Sequence, residues 1–339
     1  MKRVFSMLVA LTVAVMSYSQ SSLVATLSHN GEISAYYGNT ALKEAHDAAE
    51  HGDIITLSSG TFASVNITKA LTIRGAGMHV DSIARVLPTV ISGSFDINIP
   101  DSTEQHLTME GIYNNNTISV AGLPSGASFL KCRFGTFSYK STSQTGRRDI
   151  TFVHCKITNS ISYGNSNCYT TCISSYIVNP NSGNSNISSS FEFSNCFILE
   201  TGSFAIYNSS LKNCIIYNTY SATTSLSSTN TAYYCLGKNK NGTNMFSNMS
   251  NTTNTNFTGE LNTLFKTYTG TYDDNETFEL TDEAKTLYLG NDLTEVGMYG
   301  GNFPFNPLLS YPQFVKFNVA SESTADGKLS VDIEVTSGK

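Results

Sequence analysis

The chain has 339 residues and a formal net charge of −6, and 14% of its residues are charged, against about a quarter in an average soluble protein. Ser, Thr and Asn supply 116 residues and aromatic side chains 11%. This composition argues against a charge-rich helical protein and against disorder, lacks the basic footprint that nucleic-acid binding needs, and suits a β-rich extracellular protein.

Residues 1–19 read as a secretory signal: Lys2 and Arg3 precede the apolar run from Val4 to Met16, and Ser17 and Ser19 offer small residues for cleavage. No Cys follows the run, so a lipid anchor is not indicated, and no other stretch is long and apolar enough to span a membrane. Export to the periplasm, the cell surface or the medium is expected, as a monomer. Residues 20–51 are expected to form an N-terminal cap. Its helix, Thr40 to Glu50, is capped by Asn39, ended by Gly52, and places Leu42, Ala45 and Ala49 on one face.

From Gly75 onward the chain repeats. Leu71-Thr72-Ile73-Arg74-Gly75 recurs as Thr89-Val90-Ile91-Ser92-Gly93 and as Leu107-Thr108-Met109-Glu110-Gly111. Cysteine then takes the marked place at Cys132, Cys155, Cys172, Cys196, Cys214 and Cys235. Phe95, Tyr113, Phe134, Ile157, Ile198 and Ile216 form a second apolar column two residues after the mark, broken at Ser174 and Gly237. Alternation within units of roughly 20 residues means strands, and such units bury their apolar faces only by stacking. The spacing therefore predicts an all-β fold, a right-handed parallel β-helix solenoid over 52–305, advancing about 4.8 Å per coil. In residues 306–339, Phe314–Val319 and Leu329–Val335 alternate around Asp326-Gly327, which predicts a C-terminal hairpin that closes the last coil or packs along its side.

Gly52-Asp53-Ile54-Ile55-Thr56-Leu57, Gly60-Thr61-Phe62 and Leu71-Thr72-Ile73-Arg74-Gly75-Ala76-Gly77 together resemble the opening coils of pectate-lyase-like β-helix proteins. The run from Asp292 to Gly301, followed by Pro304-Phe305, resembles the final coil of secreted β-helix proteins from Bacteroidetes, with Ala284-Lys285-Thr286 where those carry Ser-Pro-Ala. The resemblance implies the architecture and admits polysaccharide lyases and hydrolases. It also implies O-glycosylation candidates at Ser82 and Ser102, each preceded by Asp.

Seven cysteines in an exported chain suit either a stacked ladder of free thiols or one or more disulfides. Cys168-x-x-x-Cys172 lacks the partners of a zinc site, and no metal or other cofactor is expected. Under the lyase alternative alone, Ca²⁺ enters, with Asp273-Asp274-Asn275-Glu276 supplying oxygens. His46, Glu50 and His51 are expected on the solvent face of the capping helix.

Residues 150–259 contain two acids, Glu192 and Glu200, which fall four residues either side of Cys196 and so on different faces. A glycosidase needs two carboxyl groups across one bond. Arg147, Arg148 and Asp149 are the residual lyase-like cluster. Tyrosines recur among Asn and Ser in the same coils, and Tyr207, Tyr217 and Tyr220 are the candidates for stacking on sugars. Asn159, Asn218 and Asn239, each four residues after a mark, suit a structural turn ladder. The expected protein is a non-catalytic exported β-helix that binds glycans or mediates cell-surface contact. A polysaccharide lyase or glycoside hydrolase is the alternative.

Overall fold

The computed structural model describes residues 23–80, 87–100, 103–123, 126–140, 148–163, 168–183, 189–220, 225–250, 252–268, 270, 276–309, 313–319, 327–328 and 331–336. The signal segment, Ser82, Ser102, Arg147 and Asp273 to Asn275 lie outside them.

The chain forms a parallel β-helix. Successive strands enter two long sheets, one of 11 strands and one of 12. In the first sheet one inward column runs Ile55, Ile73, Met109, Phe129, Phe152, Cys172, Phe193, Leu211, Ala232, each residue paired with the next in register. The second sheet answers with Asn114, Phe134, Ile157, Ile177, Ile198, Ile216 and Gly237. These side chains are fully buried, and Phe129 stacks on Phe152 at 5.1 Å. Like residues stack on like because successive strands place equivalent side chains about 4.8 Å apart.

The repeat corrects the sequence reading in three places. Ile73 pairs directly with Met109, so that coil is 36 residues long, and Thr89–Ser92 belongs to the second sheet beside Gly60–Ala63. Gly111 and the cysteines are neighbours in the repeat, not equivalents. Gly111, Lys131, His154, Ser174, Asn195, Asn213 and Tyr234 stack at the corner between the sheets, all left-handed, with φ between 44° and 66°. The residue after each is Ile112, Cys132, Cys155, Ser175, Cys196, Cys214 and Cys235, so Ser175 holds the place assigned to Cys172. The two positions are adjacent and recur at the same spacing, so the period alone does not separate them.

The corner column does more than fill space. The backbone N–H of Cys132 donates to Cys155 Sγ (3.5 Å), that of Cys155 to Ser175 Oγ (3.0 Å), and that of Cys196 to Cys214 Sγ (3.5 Å). Each thiol donates to carbonyls in turn, as Cys155 Sγ does to Phe129 O at 3.2 Å. A small group that both gives and accepts answers the backbone where the ladder bends. All seven cysteines are buried free thiols.

Both ends are covered. At the start, an antiparallel hairpin, Val24–His29 with Glu32–Tyr37, pairs its first strand antiparallel to Ile54–Leu57 and ends the first sheet. The helix Ala41–Ala48 lays Leu42, Ala45 and Ala49 on the core, with Thr40 rather than Asn39 at its N-cap. Lys69 Nζ donates to the carbonyls of His46, Asp47 and Ala49 at 2.7–2.8 Å, meeting the helix's negative end. His46 is buried, contrary to expectation, and its Nε2 accepts from Thr68 N at 3.2 Å. At the far end Met245 and Phe246 plug the interior; a Cβ on Gly237 would lie 2.7 Å from the Phe246 ring, which is why the apolar column breaks there.

The parallel ladder ends at Thr255–Asn256. The segment 290–309, with its coil-like sequence, runs back along the corner as a strap. Asn213 Nδ2 donates to Asn291 Oδ1 (3.0 Å), and Gly297 N to Asn213 O (2.8 Å). Gly301 lies against Asn195, Phe303 O accepts from Ser174 Oγ, Lys131 Nζ donates to Leu308 O, and Leu309 reaches Gly111. Gln313–Val319 and Val331–Thr336 form the expected C-terminal hairpin as a separate two-stranded sheet.

Candidate functional site

The outer side of the second sheet carries one column in register: Tyr113, Arg133, Lys156, Tyr176, Phe197, Ile215, Leu236. From Tyr176 onward it is apolar and covered by the chain that follows the last coil, with Phe278 stacked 4.4 Å from Tyr176 and 4.7 Å from Phe197. At its other end the cover parts, leaving a cleft of about 600 Å³. Tyr113, Arg133 and Lys156 line it with Met78, His79, Val80 and Pro88, and the strap contributes Tyr299, Phe305 and Pro307.

The cleft gathers positive charge next to aromatic rings. The Arg133 guanidinium lies 4.6 Å from the Tyr113 ring centroid. Lys156 Nζ donates to Glu276 O (3.1 Å) and sits 5.9 Å from the rings of Phe278 and Phe305. Both cations are buried. Glu276 turns its carboxylate inward, where Oε1 accepts from Thr267 Oγ1 (2.6 Å) and Phe278 N (2.9 Å). Burial pushes the Tyr299 phenol well above its ordinary value, so it remains a neutral hydrogen-bonding group. Glu276 is the sole carboxylate among the described lining residues, so the described lining shows no pair of acids of the kind a glycosidase uses.

The residues singled out from sequence lie elsewhere and apart. Tyr217 is buried under Tyr268, at 6.3 Å, and offers no free ring face. Tyr220 is exposed and Tyr207 half-buried, and no ring contact or hydrogen bond joins the three. Asp149 is exposed beside Tyr169 on the first sheet, while the backbone of Arg148 pairs with Cys168. Glu192 is exposed on that sheet and accepts from Tyr169 OH; Glu200 is buried at the end of a second-sheet strand. Asn218 and Asn239 pair in register and are buried, whereas Asn159 is exposed and donates to Thr136 Oγ1 (2.7 Å). Among the described residues no group of three or more His, Cys, Asp or Glu could hold a metal ion, and no helix is long and apolar enough to cross a membrane.

The sequence reading missed Arg133 and Lys156, although both stand one residue after a cysteine mark. Reading that outward phase across coils gives basic residues in two successive units and then aromatic and aliphatic ones. Tyr113 stands in this outward column and not in the inward one, because Gly111 aligns with Lys131 and Ile112 with Cys132.

Fold and cleft define a parallel β-solenoid with one sheet partly roofed by its own C-terminal segment. No family model, curated protein or solved structure matches the chain.

Proposed function

We propose that this is an exported, non-catalytic β-helix protein that binds glycans, and that the cleft over Tyr113, Arg133 and Lys156 takes an acidic sugar residue. The observation that carries the reading is the stacking of two buried cations in adjacent coils beside aromatic rings. A guanidinium can hold a carboxylate or sulfate by paired hydrogen bonds while a ring packs against the sugar's apolar face. Export rests on the basic and apolar opening of the chain, and a Bacteroidetes source on the resemblance of its coils.

A glycan array followed by calorimetry on the hits tests this. Acidic oligosaccharides are expected to bind, and Arg133→Gln to weaken them about tenfold or more, a loss of roughly 1.5–3 kcal/mol for a charged hydrogen bond. Failure of every acidic glycan to bind would reject the reading. Two basic side chains on one sheet also favour the alternative, a lyase in which one of them removes a proton. Absorbance from unsaturated product, lost in Arg133→Gln or Lys156→Gln, would establish that alternative in place of simple binding.

A further inference from the structure

The strap lines the cleft and is gripped by basic side chains of the corner. Buried His154 donates from Nε2 to Phe303 O at 3.2 Å, while its Nδ1 is buried without a hydrogen-bond partner. Ser174, one coil on, donates to the same carbonyl, and Lys131, one coil back, donates to Leu308 O. Over these residues the strap offers no counter-charge: Val296 to Leu309 contains no acidic or basic side chain, and its acids, Asp292 and Glu295, precede that stretch. We propose that residues 296–309 form an acid-sensitive strap, seated while His154 is neutral and released, with its wall of the cleft, when His154 takes up a proton.

A proton reaching Nδ1 would create an imidazolium under the strap, next to the Phe305 ring at 6.0 Å and facing the Lys131 ammonium. Ser174 adds no charge, Glu110 acts on Lys131, and Lys156 lies 5.9 Å from the Phe305 ring. Burial and then Lys131 hold the imidazole below its ordinary value, outweighing the carbonyls of Phe303 and Asn306, which favour the cation. A base whose value is depressed in the seated state stabilises that state at high pH and loses the contribution as pH falls below the ordinary range of about 6.5. Lifting the strap returns His154 to water and removes Tyr299, Phe305 and Pro307 from the cleft. The consequence for binding rests on the glycan reading above: affinity should fall at low pH while a sugar carboxylate stays ionised.

The chain has no tryptophan, and Phe303 is 68% exposed, so Phe303→Trp places a single reporter on the strap. Its emission is expected to change between pH 8 and 5 with one midpoint below about 6.5. His154→Gln, which cannot titrate, should abolish the change, as should His154→Asn, which suits the left-handed backbone. A flat titration, or one that persists in both His154 variants, overturns the proposal. Calorimetry with an acidic oligosaccharide separates the two readings. Affinity should fall by up to about tenfold per pH unit in the parent and stay level in His154→Gln. If no glycan binds while the emission change follows His154, the glycan reading fails and the strap stands; equal pH dependence of binding in both proteins overturns the strap's control of the cleft.

Discussion

The two sheets share one interior but meet the outside in opposite ways. Outward on the first sheet stand Thr72, Thr108, Ser128, Thr151, Thr171, Glu192, Ser210 and Thr231, in register and exposed or half-buried. Outward on the second stand Tyr176, Phe197, Ile215 and Leu236, covered by Leu264, Phe265, Tyr268 and Phe278. A solenoid strand therefore carries two separate specifications: the inward phase stacks the coils, and the outward phase decides whether that side meets water or more protein. The cleft lies where the second specification changes, between Lys156 and Tyr176.

The largest expected effect tests that contrast directly. Phe197→Ala removes a ring packed on both sides of the covered face and should cost about 3–5 kcal/mol in denaturant unfolding, as an interior ring would. A cost under about 0.5 kcal/mol, the ordinary range for surface positions, would mean that the cover is not seated. At the corner between the sheets, Cys155→Ala leaves the N–H of Cys132 without its acceptor and should cost roughly 1–3 kcal/mol. Cys155→Ser, imitating Ser175, should cost clearly less; equal losses in the two variants would mean that the thiol serves only as volume.

A change in the opposite direction is expected at Glu200. Its Oε1 is buried without a hydrogen-bond partner, and burial pushes the carboxyl well above the carboxylate range. A raised acid favours folding only while protonated, so its contribution is full below the ordinary carboxylate value and is lost as pH rises. Glu200→Gln should therefore stabilise the protein at pH 7 by about 1–3 kcal/mol, with the gain shrinking toward about pH 4. Melting curves at the two pH values check this, and a gain independent of pH would exclude the carboxyl as its cause. The smallest effect belongs to the open face: Thr171→Ala should shift stability by less than about 0.5 kcal/mol. A larger loss would show that the hydroxyl column is itself part of what holds the coils.

The inward phase was legible because it repeats. Cys132, Cys155, Cys196 and Cys214, each with its apolar partner two residues on, announce stacked strands without any structure. The outward phase was harder to read because it changes along the stack and depends on a partner distant in sequence: what makes Tyr176 and Phe197 interior is a segment that begins some 80 residues later. Arg133 and Lys156 were in view but had no visible partner until residues 276–307 came back over them. His46 was misplaced for a similar reason, since helical periodicity does not show that Thr68 approaches its ring from the first coils.

The strap's direction has a consequence for how the molecule is finished. It meets Asn213 first and Gly111 last, so it runs over six corner residues from later coils back to earlier ones. Its seat is a row of side chains supplied by six successive turns of chain, and the row exists only once those turns are stacked in step. A coil that slipped or failed to add would shift every later anchor by one strand spacing, about 4.8 Å, beyond the reach of a hydrogen bond. Synthesis delivers the strap after all the coils it must bind. Its docking is thereby a late inspection of those six turns, complete only when they are stacked in step.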